Sequence, residues 1–118
     1  MFGVRLVGVA FVAESKGVVF VNDSKGTNVG ATVAAIRGAD RPLVLIAGGD
    51  GKGQDFSELA VALRGNAHHV VLIGKDAKNI EAAIAGAIPV EHADDMRSAV
   101  RKAAAAARAG DMVLLSPA

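Results

Sequence analysis

No cysteine occurs in the 118 residues of this chain, which excludes disulfides, thiolate metal ligands and cysteine nucleophiles and makes a reducing cytoplasm its natural compartment. An excess of charge of one sign is missing as well. Thirteen Lys and Arg stand against twelve Asp and Glu, a formal +1, so there is no broad electrostatic footprint for nucleic acid or for an anionic membrane. Any anion recognition has to be local. No apolar run approaches the roughly 20 residues of a membrane helix, and a soluble chain is expected. Met1 to Ala13 is apolar apart from Arg5, but it is short for a secretory leader, and Glu14 stands where a small-residue cleavage site would. An edge or hairpin strand is the better reading. Low-complexity linkers are absent, and the length suits one domain with one core.

What is present after residue 17 is an alternation of short β-branched runs with longer, alanine-rich stretches of helical spacing. Val18 to Asn22 reads as a buried strand, and Asn28 to Arg37 as a helix with Val29, Val33 and Ile36 on one face before Gly38. Leu43 to Ala47 is a second strand, after which Asp55 or Ser57 can cap a helix carrying Phe56, Leu59, Ala60 and Leu63. Val70 to Ile73, a helix from Ala77 to Ala85, and a short strand Ile88 to Val90 near an edge follow. Asp94 or Asp95 starts a last helix with its core at Ala99 to Ala109, and Met112 to Leu115 is the final strand. Strands without polar alternation are covered on both faces, as in a parallel sheet between helical layers. The expected fold is α/β, a Rossmann-like three-layer sandwich. Its sheet is mostly parallel, with one antiparallel N-terminal hairpin strand: Val4 to Ala13 folded onto Val18 to Val21 through Glu14-Ser15-Lys16-Gly17.

Two loops carry the chemistry. Asn22-Asp23-Ser24-Lys25-Gly26-Thr27-Asn28 follows the first of these strands, and Gly48-Gly49-Asp50-Gly51-Lys52-Gly53 the second. Ligands of open α/β sheets bind at the carboxyl ends of the strands, so the two loops, on neighbouring units, would face one crevice suited to an anion. Asp23 can bond a hydroxyl. Lys25 and Lys52 can neutralise a carboxylate or phosphate, and Thr27 can donate beside a helix N-terminus. The plainer alternative stays open: a turn at Asp23-Ser24, a cap at Thr27 or Asn28, a solvated Lys25, and glycines supplying positive φ in the second loop. Neither loop has the spacing of a phosphate loop or a dinucleotide fingerprint, which disfavours an independent small nucleotide-binding enzyme. His68 and His69 are adjacent on a strand and diverge, so with the distant His92 they make a poor metal set, and Ser24 and Ser116 lack a partner histidine. No catalytic or metal-binding residue is assigned. The cations Arg97, Arg101, Lys102 and Arg108 read as a solvated helix face.

Three stretches in order, Gly17 to Asn28, Gly48 to Lys52 with Asp55-Phe56, and Gly110 to Ala118, resemble the C-terminal domain of the Mur ligases. The likeness is to those members that add D-glutamate to UDP-N-acetylmuramoyl-L-alanine in peptidoglycan synthesis, and it covers nearly everything from Phe11 onward. It implies a cytoplasmic ATP-dependent ligase, using Mg in its full-length form, whose third domain presents the incoming amino acid to a central ATPase domain. It further implies that Thr27 and Lys52 hold the D-glutamate α-carboxylate, that Lys25 lies in the same loop, and that Asp23 contacts the nucleotide ribose. An acyl phosphate is attacked by the D-glutamate amine, so the domain acts by positioning the nucleophile.

The departures from the family shape the expectation. The phosphate loop and magnesium ligands belong to the central domain. The family continues past Ser116-Pro117-Ala118 into a Cys-Ala-Ser segment and a Phe-containing helix, and its upstream His-Arg and Glu appear here as Val7-Gly8 and Ala10. Residues 1–10 are unlike the family, and the pattern after the final strand calls for one more loop and helix. The expectation is a domain fragment, inactive alone, partnered by the missing N-terminal and central domains, and binding D-glutamate and ATP weakly. A 1 mM Kd already represents about 4 kcal/mol. The alternative is an excised or redesigned α/β folding unit without a ligand, self-associating as a homodimer through an exposed edge strand.

Overall fold

The computed structural model describes residues 3–7, 10–22, 29–39, 41–48, 56–74 and 77–116. In chain order these form β1 (Gly3–Val7), β2 (Ala10–Ser15), β3 (Val18–Asn22), α1 (Val29–Gly38), β4 (Leu43–Gly48) and α2 (Ser57–Leu63). Then come β5 (Ala67–Ile73), α3 (Ala77–Ile84), β6 (Val90–His92), α4 (Met96–Ala106) and β7 (Met112–Ser116). All the strands join one seven-stranded sheet in the order β1-β2-β3-β7-β4-β5-β6. From β3 to β6 every pairing is parallel, whereas β1 with β2 and β2 with β3 are antiparallel.

Alternation along the central strands divides the core. Leu43, Leu45, Ala47, Val70, Leu72 and Leu114 face one side with Val33 and Ile36 of α1, Leu59 and Leu63 of α2, and Ile80 and Ile84 of α3. Val44, Ile46, Val71 and Val113 face the other, under Ala99 and Ala103 of α4. This is the three-layer arrangement that unbroken apolar strands require, since each face has to be buried. Every side chain of β4 is buried for the same reason. The β2–β3 turn needs only Lys16 and Gly17, both at positive φ (54° and 79°), as a tight hairpin turn matched to the strand twist demands.

Several boundaries depart from the sequence expectation. The stretch Val4 to Ala13 is not one strand but contributes to two, β1 and β2, so the antiparallel part is a three-stranded ribbon with β1 at the sheet edge. Strand β5 begins at Ala67 and takes in His68 and His69, with a register shift against β4 at that point. Strand β6 is Val90–His92 rather than Ile88 to Val90: Pro89 has no N–H to contribute, its carbonyl accepts from Val70 N at 3.0 Å, and pairing starts there. Helix α2 has Phe56 at its N-cap with no side-chain cap bond, so Ser57 does not cap it, and Asp55 lies outside the described residues. Helix α4 is capped by Asp95, which accepts from Ser98 N at 2.8 Å. It stops at Ala106 rather than Ala109, because Ala107 is already extended and the N–H of Arg108 is captured by the Asp111 carboxylate at 2.8 Å.

Candidate functional site

Parallel pairing sends β3, β7, β4 and β5 out of the sheet at one edge, where they end at Asn22, Ser116, Gly48 and Ile73. The four residues predicted from sequence to bind ligand, Asp23, Lys25, Thr27 and Lys52, lie outside the described residues. Their attachment points lie within them: Asn22 and Val29 bracket the first loop, Gly48 and Phe56 the second. The sheet order corrects one expectation about these loops. Their strands are not neighbours, because β7 inserts between them, with Asn22 paired to Leu115 on one side and Ala47 to Ser116 on the other. Two strand spacings, about 10 Å, separate the loop roots, and the end of β7 occupies the gap.

Gly48 shows how the end of β4 is seated. Positive φ is found at Gly17, Gly65, Gly74, Gly86 and Gly110 but is not what Gly48 provides. Its α-carbon instead lies so close to β5 that a Cβ would overlap the Ile73 carbonyl and come within 2.7 Å of Ile73 Cγ1. The end of β4 is thus pressed onto the end of β5 at the residue where the lysine loop departs. The sequence pattern ends this strand at Ala47 and makes Gly48 a loop glycine supplying positive φ; it is instead the last residue of β4, kept small by the close approach of β5.

The polar network that is described sits mostly away from this edge. Asp111, just ahead of β7, is a buried charged side chain whose Oδ2 accepts from Arg108 N and lies 2.7 Å from His68 Nε2. A carboxylate has no proton to give, so His68 donates from Nε2. The same residue's carbonyl accepts from Val19 N at 3.0 Å, so one aspartate joins β3, β5, β7 and the α4 exit. His69 diverges from His68 and approaches Glu91 at 3.7 Å, while His92 Nε2 is 3.0 Å from Glu81. Among the described residues no three His, Cys, Asp or Glu side chains are placed to share a metal ion, and no helix is long and apolar enough to cross a membrane.

The profile of the Mur ligase glutamate ligase domain matches residues 9–118. This chain is a Mur ligase domain. The UDP-N-acetylmuramoylalanine–D-glutamate ligase of Aromatoleum aromaticum is 62% identical to it over 112 residues, covering 93% of this chain and 24% of that protein. The enzyme of the same name from Chromobacterium violaceum is 56% identical over 111 residues, again 93% of this chain and 24% of its own length. The Mur ligase domain therefore spans about a quarter of these relatives. Among solved structures, a UDP-N-acetylmuramoyl-L-alanyl-D-glutamate–2,6-diaminopimelate ligase superposes with a TM-score of 0.66 at 20% identity, over 94% of this chain and 26% of that one. MurF ligase from Thermotoga maritima in complex with ADP does so with a TM-score of 0.56 at 20% identity, over 91% and 26%. At those identities the likeness is one of fold, and it agrees with the Rossmann-like α/β layers described above.

Proposed function

We propose that this Mur ligase domain holds D-glutamate for addition to UDP-N-acetylmuramoyl-L-alanine, an ATP-dependent step of peptidoglycan precursor synthesis carried out in the cytoplasm. The observation that carries the reading is the 62% identity to a D-glutamate ligase across nearly the whole chain. The departure of both cation-bearing loops from one sheet edge supports it. Thr27 and Lys52 hold the α-carboxylate of the amino acid, and Lys25 adds positive charge from the first loop. Asp23, directly after the last residue of β3, accepts from a ribose hydroxyl of the nucleotide, a use to which an acid at a strand's carboxyl end is suited. ATP with Mg supplies activation of the acceptor carboxylate, and the groups that handle it belong to the rest of a longer protein. What these residues contribute is orientation: the α-carboxylate is fixed so that the amine is presented to the acyl centre, which lowers the barrier by removing rotational and translational freedom from the nucleophile.

Alone, the domain is inactive and binds weakly. Titration of isotopically labelled chain with D-glutamate is expected to shift the amides of Thr27 and Lys52 with a Kd of about 1 mM or weaker. Thr27→Ala and Lys52→Ala should each remove the response. A spectrum unmoved by D-glutamate would favour a folding unit that retains the loops without a ligand, and turnover of ATP by the isolated chain would contradict the positioning role.

A further inference from the structure

We infer that the outward face of α4 is a docking surface for an acidic polypeptide segment, a role separate from the amino-acid site. Arg97, Arg101 and Lys102 are all exposed on this helix, and the exposed Arg108 follows its end. Lys102 is engaged, its ammonium donating to the His92 carbonyl at 2.9 Å. The guanidinium groups of Arg97 and Arg101 have no acceptor among the described residues.

Helix stability does not account for these cations. Arg97 lies in the first turn, where the positive end of the helix dipole disfavours it, and the last turn of α4, where a cation would be favoured, has none. Nor does Met96–Ala106 hold an acid to form a pair three or four residues away, and Asp94, three residues before Arg97 and outside the helix, makes no ion pair with it. Core packing does not account for them either, since α4 is seated on the sheet through Ala99 and Ala103 on its opposite side. Charge placed against local preference and left uncompensated is the mark of a surface shaped by something outside the domain.

The shape of the face narrows the partner. Ser98, Arg101, Lys102 and Ala105 line a shallow groove, so a second backbone can come close beside the arginines. The two arginines are one turn apart, and a helix or strand presenting carboxylates at similar spacing would meet both guanidinium forks. A nucleic acid would ask for a wider basic field than a chain of net charge +1 offers. A membrane surface would ask for a continuous, bulky apolar face, whereas the exposed large apolar residues of α4 are only Met96 and Val100.

The test is a titration of labelled chain with a blocked, alanine-based helical peptide bearing glutamate at every fourth position. Shifts concentrated at Arg97, Ser98, Arg101 and Ala105 are expected, together with at least a tenfold loss of affinity in the Arg97→Ala/Arg101→Ala variant, whose fold the same spectrum checks. Shifts spread evenly over Arg37, Arg64 and Lys78, or centred on Thr27 and Lys52, would overturn the inference. So would unchanged binding by the double variant, equal binding of the lysine counterpart of the peptide, or capture by vesicles of anionic lipid in preference to the peptide. None of these outcomes depends on whether D-glutamate binds.

Discussion

Ala85 adopts φ 55° immediately after α3, ahead of Gly86 at φ 78°. Glycine spacing points to Gly86 as the residue that closes this helix, yet the left-handed step begins one position earlier, on a residue whose Cβ is crowded by it. Ala85 is exposed and its N–H still donates to the Glu81 carbonyl at 3.0 Å, so nothing but local backbone strain distinguishes it. Ala85→Gly should stabilise the domain by about 0.5–1 kcal/mol, the left-handed penalty of alanine exceeding the extra chain entropy of glycine. Urea denaturation followed by circular dichroism would measure it, and an unchanged or lower midpoint would show that the strain is not stored there. Of the candidate ligand residues, Asp23, Lys25, Thr27 and Lys52 are proposed at this scale from residue type and position after a strand, both local properties, and all four lie outside the described residues.

The elements themselves were largely readable, and their ends less so. Apolar runs placed β3, β4 and β7 to within a residue, because a strand buried on both faces announces itself in composition. The start of β5, the frame of β6 and the early end of α4 could not be read in the same way. Each depends on a partner distant in sequence: β4 for the bulge at His68, the Val70 N–H for Pro89, and the Asp111 carboxylate for Arg108. Gly48 belongs with these, since its need for a hydrogen in place of a side chain comes from Ile73 on another strand. Gly48→Ala should therefore cost about 2 kcal/mol or more through backbone displacement. Gly38→Ala, where a Cβ would meet nothing within 4 Å, should be neutral or slightly stabilising. Thermal melts of the two variants side by side would reveal whether close approach or mere glycine content matters at Gly48.

Across the whole molecule, Asp111 closes the end of the sheet opposite the carboxyl ends of the parallel strands. Its carboxylate and carbonyl receive bonds from His68, Arg108 and Val19, drawn from three separate parts of the chain. Asp111→Ala should lower stability by about 2–3 kcal/mol, the cost of removing a charged acceptor and leaving its donors unpaired. Asp111→Asn, which keeps an acceptor oxygen for Arg108 N, should lose less. Chemical denaturation of both variants would give the order, and equal losses would mean that the charge, not the acceptor, is what matters. The amino acids in order determined the succession of strands and helices, the double-sided burial of the sheet and the places where lysine-bearing loops interrupt it, because these follow from short-range pattern and residue chemistry. Only the tertiary structure decided that β7 enters between β3 and β4, setting the two loop roots about 10 Å apart, and that α4 stands alone against its face with two arginines unpaired among the described residues. Strand order and uncompensated surface charge depend on which distant segments meet, a quantity that no local window of sequence contains.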